Sequence, residues 1–247
     1  MFINTKYRTT QTEIMDDFAL EGEVLRNALD KIASINQLLG GNKLTLQGVQ
    51  SILKQRPTKG AITIVDVGCG NGDMLRTLAD YASNNKKEFN LIGIDANQFT
   101  VQHAEKLSTS YPNISYRCED IFDKKFEQLQ YDIVLCTLTL HHFKEEEILT
   151  LLQVFKTNAH LGIVINDLQR SSISYRLFQA LCIAFQLNNM SKQDGLVSIL
   201  RGFKKPELQQ FSKLLNFKNY SIEWKWAFRY QWIIINEQVQ INYEITE

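Results

Sequence analysis

Residues 61–72 read Ala-Ile-Thr-Ile-Val-Asp-Val-Gly-Cys-Gly-Asn-Gly: an apolar run ending in an acid, then three glycines at alternate positions. Asp66, Gly68, Gly70 and Gly72 make a D-x-G-x-G-x-G turn. A chain needs so many glycines together where its backbone curls tightly and lies against a ligand. Ile62, Ile64, Val65 and Val67 are β-branched and nearly continuous, which predicts a central strand buried on both faces. Met74, Leu75, Leu78 and Ala79 then take helical spacing. The turn therefore joins a strand to a helix N-terminus, where backbone N–H groups point outward.

Two ligand classes use such a turn: dinucleotides and S-adenosylmethionine. The dinucleotide version is G-x-G-x-x-G, with its third glycine packing helix on strand. Here that glycine comes one residue early and Asp73 takes its place, where a carboxylate would repel a pyrophosphate. The spacing favours S-adenosylmethionine over a dinucleotide, and over a turn that is merely a tight connection. Later strands agree. Leu91-Ile92-Gly93-Ile94-Asp95 ends in an acid placed to accept from a ribose diol. Ile114 to Asp120 ends in another, placed to accept from an adenine amino group, and Tyr131 to Thr137 supplies a fourth strand.

On these residues the chain resembles the class I S-adenosylmethionine-dependent methyltransferases over about residues 60–167. Asp66 to Gly72 match the family's first motif, Asp95 its ribose-binding acid and Asp120 its adenine-contacting acid. Thr137-Leu138-Thr139-Leu140-His141-His142-Phe143 matches the segment after its fourth strand. Cys69, Ala96, Ile121 and Thr137 complete the candidate cofactor set. The resemblance implies an α/β fold: a Rossmann-like, doubly wound, seven-stranded sheet whose last strand runs antiparallel.

The 247 residues suit one such domain with accessory elements, and a hydrophobic content of 44% is ample for a core. Lys+Arg equals Asp+Glu at 27 each, so no global basic field advertises nucleic acid as a partner. Cys69, Cys118, Cys136 and Cys182 show no metal or redox spacing and read as small core hydrophobes of a reducing compartment. Residues 1–17 lack the apolar core of a signal peptide, and the most apolar helix, about 173–187, is interrupted by Arg176, Gln179 and Gln186. Neither a membrane span nor a metal is expected, and the location read from these features is cytoplasmic. The oligomeric state is left open, a dimer included.

Residues 1–56 read as helices, Phe18 to Ile35 at helical spacing with Gly40-Gly41 as a stop, then about 46–54. They form either a lid over the active-site mouth or a cover for the sheet; the lid is the assignment carried forward, with 57–247 as the methyltransferase domain. Strand and helix alternate from there to residue 167, as in a parallel sheet. Glu145-Glu146-Glu147 opens a predicted helix, where acids favour the dipole. Residues 168–220 exceed what a crossover needs. They hold the helix at 173–187, a polar stretch at 188–195 and a helix near 206–215, an insertion placed to roof an acceptor. In Ile222 to Ile235, Trp224, Trp226, Phe228, Tyr230 and Trp232 alternate, which is expected to be the buried face of a sheet edge. No Asn-Gly pair divides this segment.

Four further segments are similar to bacterial small-molecule methyltransferases associated with type III polyketide synthases: 13–17, 35–41, 166–170 and 224–229. That resemblance implies a phenolic or polyketide-type acceptor, although Gln37 and Gln169 stand where basic residues are expected. Methyl transfer is an in-line displacement at a sulfonium carbon, for which alignment supplies much of the rate. A phenol of pKa ~10 also needs a base or a nearby cation. His141 and His142 follow the fourth strand at the ligand-binding end of the sheet. His142 is the preferred catalytic candidate, His141 the alternative, and Asp167 at the tip of the fifth strand a third. Methylation at oxygen is the leading expectation. A carbon methyltransferase of quinone or polyketide rings is its nearest rival; a nucleic-acid or protein methyltransferase and a non-catalytic cofactor-binding module stand further off.

Overall fold

The computed structural model describes residues 3–236. The strands are β1 (Ile62–Val67), β2 (Phe89–Asp95), β3 (Ile114–Cys118), β4 (Tyr131–Thr137), β5 (Ala159–Leu168), β6 (Tyr220–Lys225) and β7 (Arg229–Ile235). They form a seven-stranded sheet in the order β3-β2-β1-β4-β5-β7-β6. β1 pairs in parallel with β2 and β4, and β7 is antiparallel to both β5 and β6. The Rossmann-like sheet with its last strand reversed is therefore as the sequence implied.

Alternation along β1 sends its side chains to opposite faces, as the pleat requires. Val65 and Val67 join one buried cluster with Val134, Phe155 and Trp232; Ile62 and Ile64 join the other with Leu75, Leu78 and Ile133. Helices α3 (Asp73–Asn84), α4 (Gln98–Leu107), the single turn α5 (Lys124–Glu127) and α6 (Glu145–Asn158) are the crossovers. At the start of α6, the Glu147 carboxylate accepts the Lys144 N–H at 2.7 Å, so the acidic run does cap the helix.

The two N-terminal helices have different roles. α1 (Glu23–Leu38) ends where Gly40 turns left-handed at φ 78°, and Gly41 already belongs to α2 (Gly41–Gln55). α2 buries Val49 and Ile52 in the second core cluster. It lies so close to β5 that a side chain at Gly48 would strike Val164. α1 stands over the ligand end of the sheet instead. Residues 168–220 hold α7 (Ser172–Ala184), α8 (Asn189–Arg201) and α9 (Lys205–Leu214). The polar stretch at 188–195 begins α8: Asn188 caps it by accepting the Ser191 N–H at 2.8 Å. Leu25, Ala28 and Leu29 of α1 pack against Met190 of α8 in a small third cluster.

The aromatic tail also departs from expectation. It folds into the β6–β7 hairpin, reversing at residues 226–228 with Phe228 at φ 55°. Because the chain turns, the stripe is split. Tyr230 and Trp232 are buried, whereas Trp226 at the tip is 61% exposed and Trp224 on the edge strand is open too. Of the cysteines, Cys69, Cys136 and Cys182 are buried, while Cys118 at the tip of β3 is exposed.

Candidate active site

The ends of β1, β2 and β4 open onto one cavity of about 1150 Å³, roofed by α1, α7 and the hairpin tip. Drug-sized pockets run to roughly 1,000 Å³, so there is room for two guests.

One wall is backbone. Gly68, Gly70 and Gly72 all take left-handed φ, at 67°, 53° and 77°. Their reasons differ. A side chain at Gly68 would strike Thr139, and one at Gly72 would strike the Tyr116 hydroxyl. At Gly70 it would meet only Leu29, at 3.9 Å, so here the bare backbone faces the cavity. Asp95 ties this wall together, accepting from the Gly70 N–H at 3.2 Å and the Asn97 N–H at 3.0 Å. Asp66 is buried with one carboxyl oxygen unpartnered. Burial pushes its pKa up, with Asp73 and Asp95 adding to the effect. Asp120 accepts the Phe122 N–H at 3.0 Å. The Thr137 hydroxyl is 3.0 Å from that of Thr45 on α2. Cys69, Ala96 and Ile121 also line the cavity; Gly72 does not.

A second part of the lining is built of side chains from distant segments. His141, in the turn Leu140–His142 after β4, places Nδ1 2.7 Å from Asp167 Oδ1, and Asp167 also accepts the His141 N–H at 3.1 Å. Burial raises the Asp167 carboxyl, but the His141 imidazole and the surrounding donors outweigh it and hold the pKa below the usual value. His142 places Nδ1 2.6 Å from Asp16 Oδ1. Burial would raise Asp16 too, yet hydrogen bonds from His142 and Arg201 hold it well below the usual range. In the tautomer that donates from Nδ1 to its carboxylate, each neutral imidazole has its lone pair on Nε2.

Those Nε2 atoms converge on Glu13. Its Oε1 is 3.7 Å from His141 Nε2 and its Oε2 is 3.9 Å from His142 Nε2. Glu13 is 6% exposed and its Oε2 accepts from the Ser198 hydroxyl at 2.7 Å. Burial pushes the Glu13 carboxyl up. His141, 1% exposed, has no hydrogen-bond partner at Nε2. Arg201 donates to Asp16 at 2.6 Å and to the His141 carbonyl at 3.1 Å. Arg8 donates to the His141 and Phe143 carbonyls at 2.8 and 2.9 Å.

The three catalytic candidates are thus together, but unequally placed. His141 and His142 line the cavity, with His142 the more exposed; Asp167 sits behind His141, off the wall. Glu13, Asp16, Arg8 and Arg201 were not among the residues singled out. Segment 13–17 carried a family-like pattern, but nothing in it signals pairing with residues near 141 and 201. Trp226 and Phe228 also line the cavity, although the alternating pattern assigned them to a sheet face.

Residues 64–162 match the family model described as a methyltransferase domain. A putative methyltransferase of Invertebrate iridescent virus 6 is 33% identical over 73 residues, 30% of this chain. The match spans 24% of that relative, about a quarter of its length. Among solved structures, the plantazolicin methyltransferase BpumL in complex with SAH aligns over 85% of this chain and 89% of its own, with TM-score 0.64 and 17% identity. Magnesium protoporphyrin IX methyltransferase from Synechocystis PCC 6803 with bound SAM aligns over 90% and 89%, with TM-score 0.54 and 14% identity. The DszA carbon methyltransferase aligns over 85% and 58%, with TM-score 0.63 and 16% identity. At such identities the likeness establishes the fold, that of Rossmann-like methyltransferases. Among the described residues no helix is long and apolar enough to cross a membrane.

Proposed function

We propose that the chain transfers a methyl group from S-adenosylmethionine to an oxygen of a small, largely apolar acceptor of phenolic or polyketide type. The observation that carries this reading is the sharing of one cavity by two unlike walls. Bare Gly70 backbone with Asp66, Asp95 and Asp120 lines one part of it, and the His141–His142 pair lines another. Open space at Gly70 and an unpartnered Asp66 oxygen suit a cofactor that is polar along one edge.

The cofactor supplies a sulfonium methyl group for in-line displacement. Asp95 takes the ribose diol and Asp120 the adenine amino group. Gly68, Cys69 and Gly70 lie against the amino-acid portion, and Ala96, Ile121 and Thr137 line its bed. The roof, with Leu29, Leu177, Phe178 and Phe228, excludes water and holds the apolar body of the acceptor. His141 and His142 hold the acceptor's oxygen in line with the methyl group, and Asp167 is a positioning residue that fixes the His141 ring. Residues 1–56 act through α1 as the lid, and 168–220 select the acceptor.

Calorimetric titration with SAH and methyl transfer from labelled S-adenosylmethionine to a panel of alkylresorcinols, hydroxyaryl acids, quinols and short peptides test the reading. O-methyl products are expected from the phenolic members. Failure to bind SAH defeats the proposal; transfer to ring carbon or to peptide nitrogen replaces the acceptor assignment.

A further inference from the structure

The convergence of Glu13, His141 and His142 asks more of the site than hydrogen bonding explains. Among the described residues these three form a group whose ligand atoms all lie within 4.8 Å of one another. Both imidazoles are held in the same way, each with Nδ1 on a carboxylate at 2.7 or 2.6 Å and Nε2 turned toward Glu13. A carboxylate behind each ring is the usual support of a metal-ligating histidine, because it fixes the tautomer and raises the basicity of the other nitrogen. The buried His141 Nε2 meanwhile has no hydrogen-bond partner, an expense that a native site normally avoids.

We propose that Glu13, His141 and His142 bind one divalent transition-metal ion of the zinc type, on the acceptor side of the cavity.

The donor set is two neutral imidazoles and one carboxylate, the ligands of catalytic zinc sites that keep an open position. Imidazole selects such ions over magnesium and calcium, which take oxygen ligands. Zinc–ligand bonds of about 2.0–2.1 Å place tetrahedral donors roughly 3.3 Å apart. The carboxylate oxygens lie 3.7 and 3.9 Å from the two Nε2 atoms, a little wider than that. The three ligand atoms lie within 4.8 Å of one another, so closing the triad needs movements of up to about 1.5 Å, taken up chiefly by the partly exposed His142 ring.

The carboxyls of Glu13, Asp16, Asp167, Asp194 and Glu207 surround this site with the guanidiniums of Arg8, Arg170, Arg201 and Arg229, so the local charge is near balance and the case for the ion rests on the donor geometry. Glu13, His141 and His142 all line the cavity. A bound ion would act there as a Lewis acid toward an acceptor hydroxyl, whose proton would pass to water at the cavity mouth. That role rests on the methyltransferase reading; binding of the ion does not.

The test uses the full chain, stripped with a chelator and titrated with Zn²⁺ by calorimetry and with Co²⁺ by visible absorption. SAH is titrated into the same samples. One equivalent of metal per chain is expected, with Co²⁺ bands of a low-coordinate nitrogen–oxygen site. Glu13→Gln and His142→Ala should lose that equivalent while far-UV dichroism and SAH binding persist. Asp16→Ala, behind His142, should weaken it roughly 10–100-fold. His160→Gln, on the distant exposed end of β5, should leave it unchanged. Absence of a stoichiometric metal overturns the proposal, as does binding that survives both Glu13→Gln and His142→Ala. If Glu13→Gln does not fold, the surface-accessible His142→Ala decides alone. Metal binding without SAH binding refutes the methyltransferase reading instead.

Discussion

The two walls of the cavity are made in different ways. The Gly-rich wall comes from residues 66–73 and 94–97, and its groups are positioned by the parallel strands β1 and β2 at whose tips they sit. Its geometry is that of backbone, so it is set once the sheet forms. The histidine wall draws on four segments: 8–16, 141–143, 167 and 194–201. It is held mainly by side-chain hydrogen bonds and ion pairs, among them Glu13 to Ser198 and Asp16 to Arg201, with one backbone bond from the Thr9 N–H to the Leu200 carbonyl at 3.2 Å. Strain and close packing guard the first wall; compensation of buried charge guards the second. Damage to the first should therefore read out in stability and cofactor affinity together, and damage to the second in turnover.

The strongest test of that contrast is Gly68→Val. The backbone there has φ 67° and a side chain would strike Thr139. Left-handed strain plus overpacking should cost about 2–5 kcal/mol. A lowered Tm together with lost SAH binding is the expected result, and near-normal melting would deny that backbone sets this wall. Next comes Asp95→Ala, which removes the acceptor of two backbone N–H groups. Hydrogen bonds to a charged group are worth roughly 1.5–3 kcal/mol each, so SAH affinity measured by calorimetry should fall at least tenfold. Asp167→Asn should invert the pattern. Turnover is expected to drop roughly 10–100-fold as the His141 ring loses its orientation, with SAH affinity unchanged. Equal losses in both would erase the distinction between the walls.

The smallest effect concerns the joint between α1 and the Gly-rich turn. Asp30 on α1 accepts from Asn71 at 2.9 Å and lies 2.8 Å from His103. Burial pushes its carboxyl up, but the Asn71 and His103 contacts prevail and lower the pKa below the ordinary 3.8. A carboxyl depressed on folding contributes stability that is fully present above its unfolded pKa and is lost as pH falls through the folded value. Amide exchange in α1 should therefore accelerate only in the acid range below about pH 4, and Asp30→Asn should remove most of that dependence.

The contrast also explains what could be read from the chain directly. The Gly-rich wall was legible because its determinants are contiguous: β-branched run, acid, alternating glycines, helix. Asp95 could be placed because every parallel strand brings its C-terminal tip to the same edge. Glu13 and Asp16 gave no such signal, since periodicity carries no information on pairing across more than a hundred residues. The hairpin was obscured for a local reason. Its reversal uses Phe228 at positive φ where an Asn-Gly pair would have announced it, so Trp224 and Trp232 were read as one face. Residues 188–195 gave no helical period because α8 buries polar groups, Ser191, Asp194 and Ser198, alongside few apolar ones.

The 188-residue separation of Glu13 from Arg201 has a consequence for biosynthesis. A ribosome adding ~5–20 residues per second releases residue 13 roughly 9–40 s before its guanidinium partner exists. Throughout that interval the acids of segment 13–16 have water as their solvent, while the five parallel strands β1 to β5 are already made. The histidine wall is thus completed only after those strands, and a chain halted before α8 would own a Gly-rich turn with Glu13 and Asp16 still lacking their partners.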